Sequence, residues 1–292
     1  MTDYRIGIVI PCYNSRQLLK QYLPSIIDYS QKYNAQITIV DDGSSDGSAE
    51  FIQSHFGDVN LILNRKNEGF IRTVNRGVKE SSGDIAILLN TDIEARSDFI
   101  APVLAHFKDD NVFAVSLKSR NPDGTFREGA KRLVFRAGLP KVLHNEDDQY
   151  PPVEGIRYTD YPVGGHCALR ISMFKELGGF DDLYSPFYWE DTDLGYRARG
   201  HGWKIVYEPS AEVYHHHGVI ATSFEDEYIK NVRTRNRILF SLRHKRGLVG
   251  IYCKILIAFR GLFSFIGGNR VFLEALRQAT KILNEKRQVS KA

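Results

Sequence analysis

Four short stretches carry residue types that could do chemistry. At the end of an apolar run, Ile85 to Leu89, the chain turns polar with Asn90, Thr91 and Asp92. A carboxylate at a strand tip can hold a hard divalent ion through oxygen, and the ion can bridge phosphates. It can equally be a turn or N-cap carboxylate. Residues 189–193 read WEDTD, with three carboxylates in four positions. If a helix starts here, Glu190 and Asp193 share a face and Asp191 is rotated away. The group is either an acidic site or a set of acids stabilised by the helix dipole. DDGSSD, residues 41–46, follows a strand and opens a helix. Asp42 could accept hydrogen bonds from a base or sugar, or the stretch is a turn with Ser44 or Ser45 as helix cap. Finally, His215, His216 and His217 follow an apolar edge. On an extended chain His215 and His217 share a face, so one of these could be a metal ligand to pair with Asp92. The alternative is a structural histidine.

Other chemistries lack their marks. No GxxxxGK[ST] loop and no GxGxxG after the first strand is present. The loop IPCYNS also lacks the glycine-rich, basic character of a nucleotidyltransferase. Three scattered cysteines, Cys12, Cys167 and Cys253, suggest no disulfide framework or zinc spacing, which fits a reducing compartment. The N-terminus MTDYRIGIVI does not look like a secretory signal. No uncharged apolar run of about 18 residues occurs, so no spanning helix is expected.

These residues need a scaffold. Short apolar runs at Ile6–Ile10, Ile37–Val40, Leu61–Leu63, Ile85–Leu89 and Val112–Leu117 alternate with helix-like stretches at Arg16–Tyr29, Ser45–His55, Gly69–Glu80 and Ser97–Phe107. This rhythm predicts an α/β fold with a mainly parallel sheet covered on both faces. Ligands of such sheets bind beyond the carboxyl ends of the strands, so PCYN, DDGSSD and NTD should converge. Residues 121–160 are less regular. NPDG at 121–124 is a turn signal, and HNEDDQYPP at 144–152 reads as a surface loop.

IPCYN, VDDGSSDGS, NEGF, LLNTD, GGFDD, WEDTDLGYR and EP…VYHHHG, in this order, resemble the inverting glycosyltransferases of family 2, and the second half resembles their rhamnosyltransferase-like branch. The resemblance implies the GT-A fold, a Rossmann-like sheet, and a nucleotide diphosphate sugar donor such as dTDP-rhamnose or a UDP-hexose. It implies a hydroxyl acceptor on a cell-surface polysaccharide or lipid-linked glycan. Pro11 and Tyr13 would border the base and Asp42 would contact it, with Asn67, Gly69 and Arg72 around the nucleotide. Asp92 would bind Mn²⁺ or Mg²⁺ as the last position of the family's DxD motif, and Asn90 stands where many members have the first Asp. Asp191 would be the catalytic base, and Glu190 would orient the site or bind acceptor. His215 would be the second metal ligand, with His217 in reserve. Gly164 and Gly165 would permit close approach of a ligand, and Asp181 and Trp189 would shape the acceptor side.

The chain's net charge of +4 hides an asymmetry: residues 228–292 carry 15 Lys and Arg against 2 Glu. We therefore expect a catalytic domain over 1–225 and a basic, amphipathic helical extension over 226–292. The extension would lie on an anionic membrane surface, giving a cytoplasmic protein held at the inner face of the membrane. The alternative is packing on the protein itself. Nucleic acid is not expected, because no binding motif accompanies the charge. The competing function is a non-catalytic sugar-nucleotide or glycan-binding subunit of a polysaccharide assembly complex.

Overall fold

The computed structural model describes residues 4–144, 156–216, 224–245 and 247–289. The expected alternation is present. β1 (Ile6–Cys12), β2 (Gln36–Asp41), β3 (Asn60–Leu63) and β4 (Ile85–Leu89) alternate with α1 (Arg16–Gln31), α2 (Ser48–His55) and α3 (Phe70–Glu80). Then come β5 (Ile93–Glu94), α4 (Ile100–His106), β6 (Val112–Arg120) and β7 (Phe126–Glu128), followed by the two-stranded sheet of β8 (Lys131–Arg136) and β9 (Leu139–His144). β1, β2, β3 and β4 are parallel, and their central residues are almost all buried, as double coverage of a sheet requires.

The second half of the chain enters the same sheet out of sequence. β11 (His166–Arg170) lies antiparallel between β4 and β6. β12 (Lys204–His215) runs parallel to β6, and pairs with β5 at its far end. The sheet order is β10-β12-β6-β11-β4-β1-β2-β3, where β10 is Arg157–Tyr158. The NPDG turn closes through Gly124 N–H to the Asn121 carbonyl (2.9 Å) and returns the chain as β7 against β6. That return brings Glu128 beside the middle of the sheet. α5 (Ile171–Glu176) and α6 (Glu190–Gly200) complete this part of the molecule.

The chain forms two compact units, one of residues 1–132, 144–181 and 191–218, the other of 133–143, 182–190 and 219–292. The second unit is built on three helices, α7 (Asp226–His244), α8 (Gly247–Ile266) and α9 (Arg270–Val289). Within it, the buried Asn236 amide donates to the carbonyls of Tyr184, Phe187 and Tyr188 at 2.7–3.0 Å. Ser241 Oγ donates to the Gly138 carbonyl. These bonds fasten the two short segments to α7. α8 buries a narrow stripe of Gly250, Cys253, Ile257, Gly261 and Ser264. Its other faces are apolar and exposed: Leu248 is 85% exposed, Phe263 69%, and Phe265 and Ile266 73% each. By length and composition α8 could cross a membrane, although it carries Lys254 and Arg260. The stretch HNEDDQYPP lies almost wholly outside the described residues.

Candidate active site

The loops after β1 and β2 are tied together. Ser45 N–H donates to Asn14 Oδ1 (2.8 Å), Asn14 N–H to Ser44 Oγ (2.8 Å), and Arg16 N–H to Asp46 Oδ2 (2.9 Å). Asp46 Oδ1 also accepts from Ser48 N–H (3.0 Å), so α2 starts at Ser48 behind Gly47 instead of at Ser44 or Ser45. Asp42 is buried and turned inward: Oδ1 accepts from Asn64 Nδ2 (2.7 Å) and Glu68 N–H (2.9 Å), and Oδ2 from Gly69 N–H (2.8 Å). Its carboxylate therefore shapes the NEGF loop that opens α3. Gly43 backs the same loop with φ +71°, and a Cβ there would stand 2.7 Å from the Lys66 carbonyl carbon. Only glycine fits both constraints. Pro11 is partly buried, Tyr13 is 41% exposed, and Asn67 and Arg72 are exposed at the loop and the first turn of α3.

The NTD stretch meets this edge. Thr91 Oγ1 donates to Ser15 Oγ (3.1 Å), and Asn90 N–H to the Gly165 carbonyl (2.9 Å). Gly165 lacks a side chain because Asn90 fills that space; a Cβ would lie 2.6 Å from its amide nitrogen. Asp92 is only 1% exposed, and neither of its oxygens has a hydrogen-bond partner. His215 Nε2 lies 3.3 Å from Asp92 Oδ1. The β12–β5 pairing sets this contact, placing His215 opposite Ile93. His216 points elsewhere, stacking on Tyr22 with ring centroids 4.2 Å apart and meeting Glu94 Oε2 at 2.8 Å. His217 lies outside the described residues.

Two residues that sequence inspection did not single out stand beside this pair. His166 is fully buried, and neither ring nitrogen is hydrogen-bonded. Glu128, His166 and His215 each offer one donor atom within 4.8 Å of the others. Burial pushes the His166 imidazole down to about 3, so it is neutral and its lone pair is free. Burial opposes ionisation of Glu128, but the Lys131 ammonium (3.0 Å) together with the neighbouring His166 and His215 outweighs it and brings that carboxyl down to about 2. A buried polar group without a partner costs about 1–3 kcal/mol, so several orphaned donors in one place require an explanation. Neutral imidazoles and ionised carboxylates are the forms that ligate a divalent ion, and the residues fit such an ion. The sequence signal for His166 was faint, a polar residue heading a buried strand.

Of the three acids in WEDTD, each has a different setting. Asp193 is fully buried and pairs with Arg197 (2.6 Å), whose other nitrogens donate to the Leu177 and Gly179 carbonyls. That makes Asp193 structural. Glu190 is buried at the helix start. Asp191 is partly exposed, and burial pushes its carboxyl up to about 6, against hydrogen bonds from Thr192 and from the Gly164 backbone. A carboxyl near 6 can take a proton from a hydroxyl around neutral pH. Tyr188 and Trp189 precede it with φ of 69° and 77°. Bulky residues seldom adopt that region, and such strain clusters at functional sites. Trp189 packs on Phe240 with centroids 5.3 Å apart, and Asp181 is partly exposed ahead of that segment.

Known proteins share this architecture. The solved structure of GalNAc-T7 with UDP, GalNAc and Mn²⁺ superposes with a TM-score of 0.61 at 18% identity, over 87% of this chain and 54% of that one. A mannosyltransferase from Pyrobaculum calidifontis in complex with GDP-Man and Mn²⁺ gives 0.59 at 15% identity, over 99% and 81%. Both establish the GT-A fold. In sequence, the N-acetylglucosaminyl-diphospho-decaprenol L-rhamnosyltransferase of Mycobacterium tuberculosis is 30% identical over 239 residues, 74% of this chain and 77% of its own. The dolichol-phosphate mannosyltransferase of Pyrococcus furiosus is also 30% identical, over 72% of this chain and 63% of its own. The model of glycosyl transferase family 2 matches residues 7–178, which span the tied loops, the Asp92 strand tip and His166. With that match and those relatives added to its sheet order and site, the chain belongs to glycosyl transferase family 2.

Proposed function

We propose that the protein is a metal-dependent, inverting glycosyltransferase that moves a sugar from a nucleotide diphosphate donor to a hydroxyl of a lipid-linked glycan. The observation that carries this is the buried Asp92 carboxylate, unpartnered at both oxygens and 3.3 Å from His215. Asp92 and His215 would hold Mn²⁺ or Mg²⁺. Bound there, the ion would offset charge on the leaving diphosphate. Pro11 and Tyr13 border the base, and Asp42 acts on the nucleotide by setting the loop at Asn67 and Gly69. Asn90 and Arg72 line the donor side. Asp191 removes the acceptor hydroxyl's proton as that oxygen attacks the anomeric carbon, and a single displacement inverts the carbon. Glu190 orients this end of the site. The relative from M. tuberculosis supports a rhamnosyl donor such as dTDP-rhamnose, with a UDP-hexose as the competing choice.

A panel of sugar nucleotides with Mn²⁺ or Mg²⁺, read by thermal shift and nucleotide release, tests the proposal. One donor should stabilise the protein in proportion to the logarithm of its excess, lose that effect with EDTA, and turn over with acceptor. Stabilisation without any turnover would favour the non-catalytic binding subunit.

The second unit fits an acceptor carried on lipid. α8 exposes Leu248, Phe263, Phe265 and Ile266 within a segment, 228–292, rich in Lys and Arg. Large exposed apolar patches mark interaction surfaces, and basic charge favours an anionic leaflet. We propose peripheral binding at the cytoplasmic face of the membrane through this helix. Vesicles with anionic phospholipid should co-sediment with the protein at low salt. Phe263→Asp with Ile266→Asp should weaken this at least about tenfold, because inserted apolar area supplies much of the binding. Equal pelleting of both proteins would refute the surface.

A further inference from the structure

The metal reading above needs only Asp92 and His215, yet two more donors are present. His166 is brought under the site because β11 is inserted between β4 and β6. Glu128 arrives on β7, which pairs antiparallel with the far end of β6, opposite Ser119. Lys131 takes Glu128 Oε1 at 3.0 Å, and Oε2 faces His166 Nε2 at 4.0 Å. The imidazoles of His166 and His215 are inclined at 66° with centroids 5.7 Å apart, so they are not stacked.

We propose that Glu128, His166 and His215 hold one first-row transition ion in the donor-free protein, beside Asp92, whose Oδ1 lies 3.3 Å from His215 Nε2. The inference rests on the metal-dependent reading and extends it: the ion is retained by protein groups before any diphosphate arrives. Donors bound at about 2.1 Å lie no more than about 4.2 Å apart. The observed limit of 4.8 Å therefore needs the widest pair to close by at most about 0.6 Å. Two imidazole nitrogens with carboxylate oxygens favour transition ions, whereas Mg²⁺ prefers oxygen and keeps its waters. The free protein should thus discriminate against Mg²⁺, and metal should bind ahead of nucleotide.

The test is a Mn²⁺ titration of the nucleotide-free protein, following the free-ion EPR signal, repeated with UDP or dTDP. We expect one Mn²⁺ per chain without nucleotide, not displaced by a tenfold excess of Mg²⁺. His166→Ala should weaken it more than about tenfold, since even residues behind the ligands cost 10–100-fold. Because His166 is buried, nitrogen couplings in the Mn²⁺-loaded wild type are counted by spin-echo spectroscopy as well. Two imidazoles are expected, and one overturns the proposal whatever the variant does. Binding that appears only with nucleotide also overturns it, while leaving Asp92 and His215 as ligands intact. Binding in neither condition overturns both. An unchanged affinity in His166→Ala removes His166 from the site.

Discussion

Asp191→Asn lowers kcat by about 10²–10⁴-fold, the usual worth of a positioned general base, and leaves donor binding unchanged. The carboxyl of Asp191 is raised to about 6 by burial. A base must be deprotonated to act, so activity falls as pH drops through about 6, and kcat/KM shows an acid limb there. The same shift has a stability consequence. A carboxyl raised above its unfolded value favours the fold in its neutral form. That contribution is present at low pH and is lost as pH rises through about 6. At neutral pH the ionised Asp191 therefore weakens the fold, and the isosteric amide should raise Tm while removing activity, a trade common at active sites. Steady-state kinetics across pH and a melting curve at pH 7.5 check both halves. Turnover within a few-fold of wild type would remove Asp191 as the base, and a lowered Tm would mean its burial is compensated by contacts that the amide loses.

Asp92→Asn should abolish the stabilisation that donor and Mn²⁺ give together and lower kcat/KM by about 10²–10³-fold, comparable to losing one element of transition-state charge stabilisation. Asp92 has no hydrogen-bond partner for either oxygen and is 1% exposed. A carboxyl group buried without hydrogen-bond partners weakens the fold unless an ion or donor compensates. The variant's metal-free Tm should therefore equal or exceed that of wild type. Calorimetry of donor binding with and without Mn²⁺ decides the matter. An unaltered metal response would show that the ion sits elsewhere.

Most elements of the first half of the molecule follow from local patterning alone. Strand and helix periods are local, so β1 to β4, α1 to α4 and β6 are legible from apolar spacing, whereas the two-residue β5 is not. The rule that parallel strands point their carboxyl ends at ligands put PCYN, DDGSSD and NTD on one edge. The ordered motifs also pointed to the family. Other features depended on which strands become neighbours, and local patterning does not encode sheet order. His166 is an ordinary residue of VGGHCALR until β11 slots beside β4. Glu128 gains meaning only because β7 folds back on β6. Likewise, Asp191, Asp193 and Asp42 are equal carboxylates in the sequence. Packing aims Asp193 at Arg197 and Asp42 at the NEGF loop, and leaves Asp191 raised and partly open. The same holds for 182–190, which joins α7 through Asn236. A side chain's charge is fixed by its type, but its partners and its solvation are fixed by residues remote in the chain, and these set its chemistry.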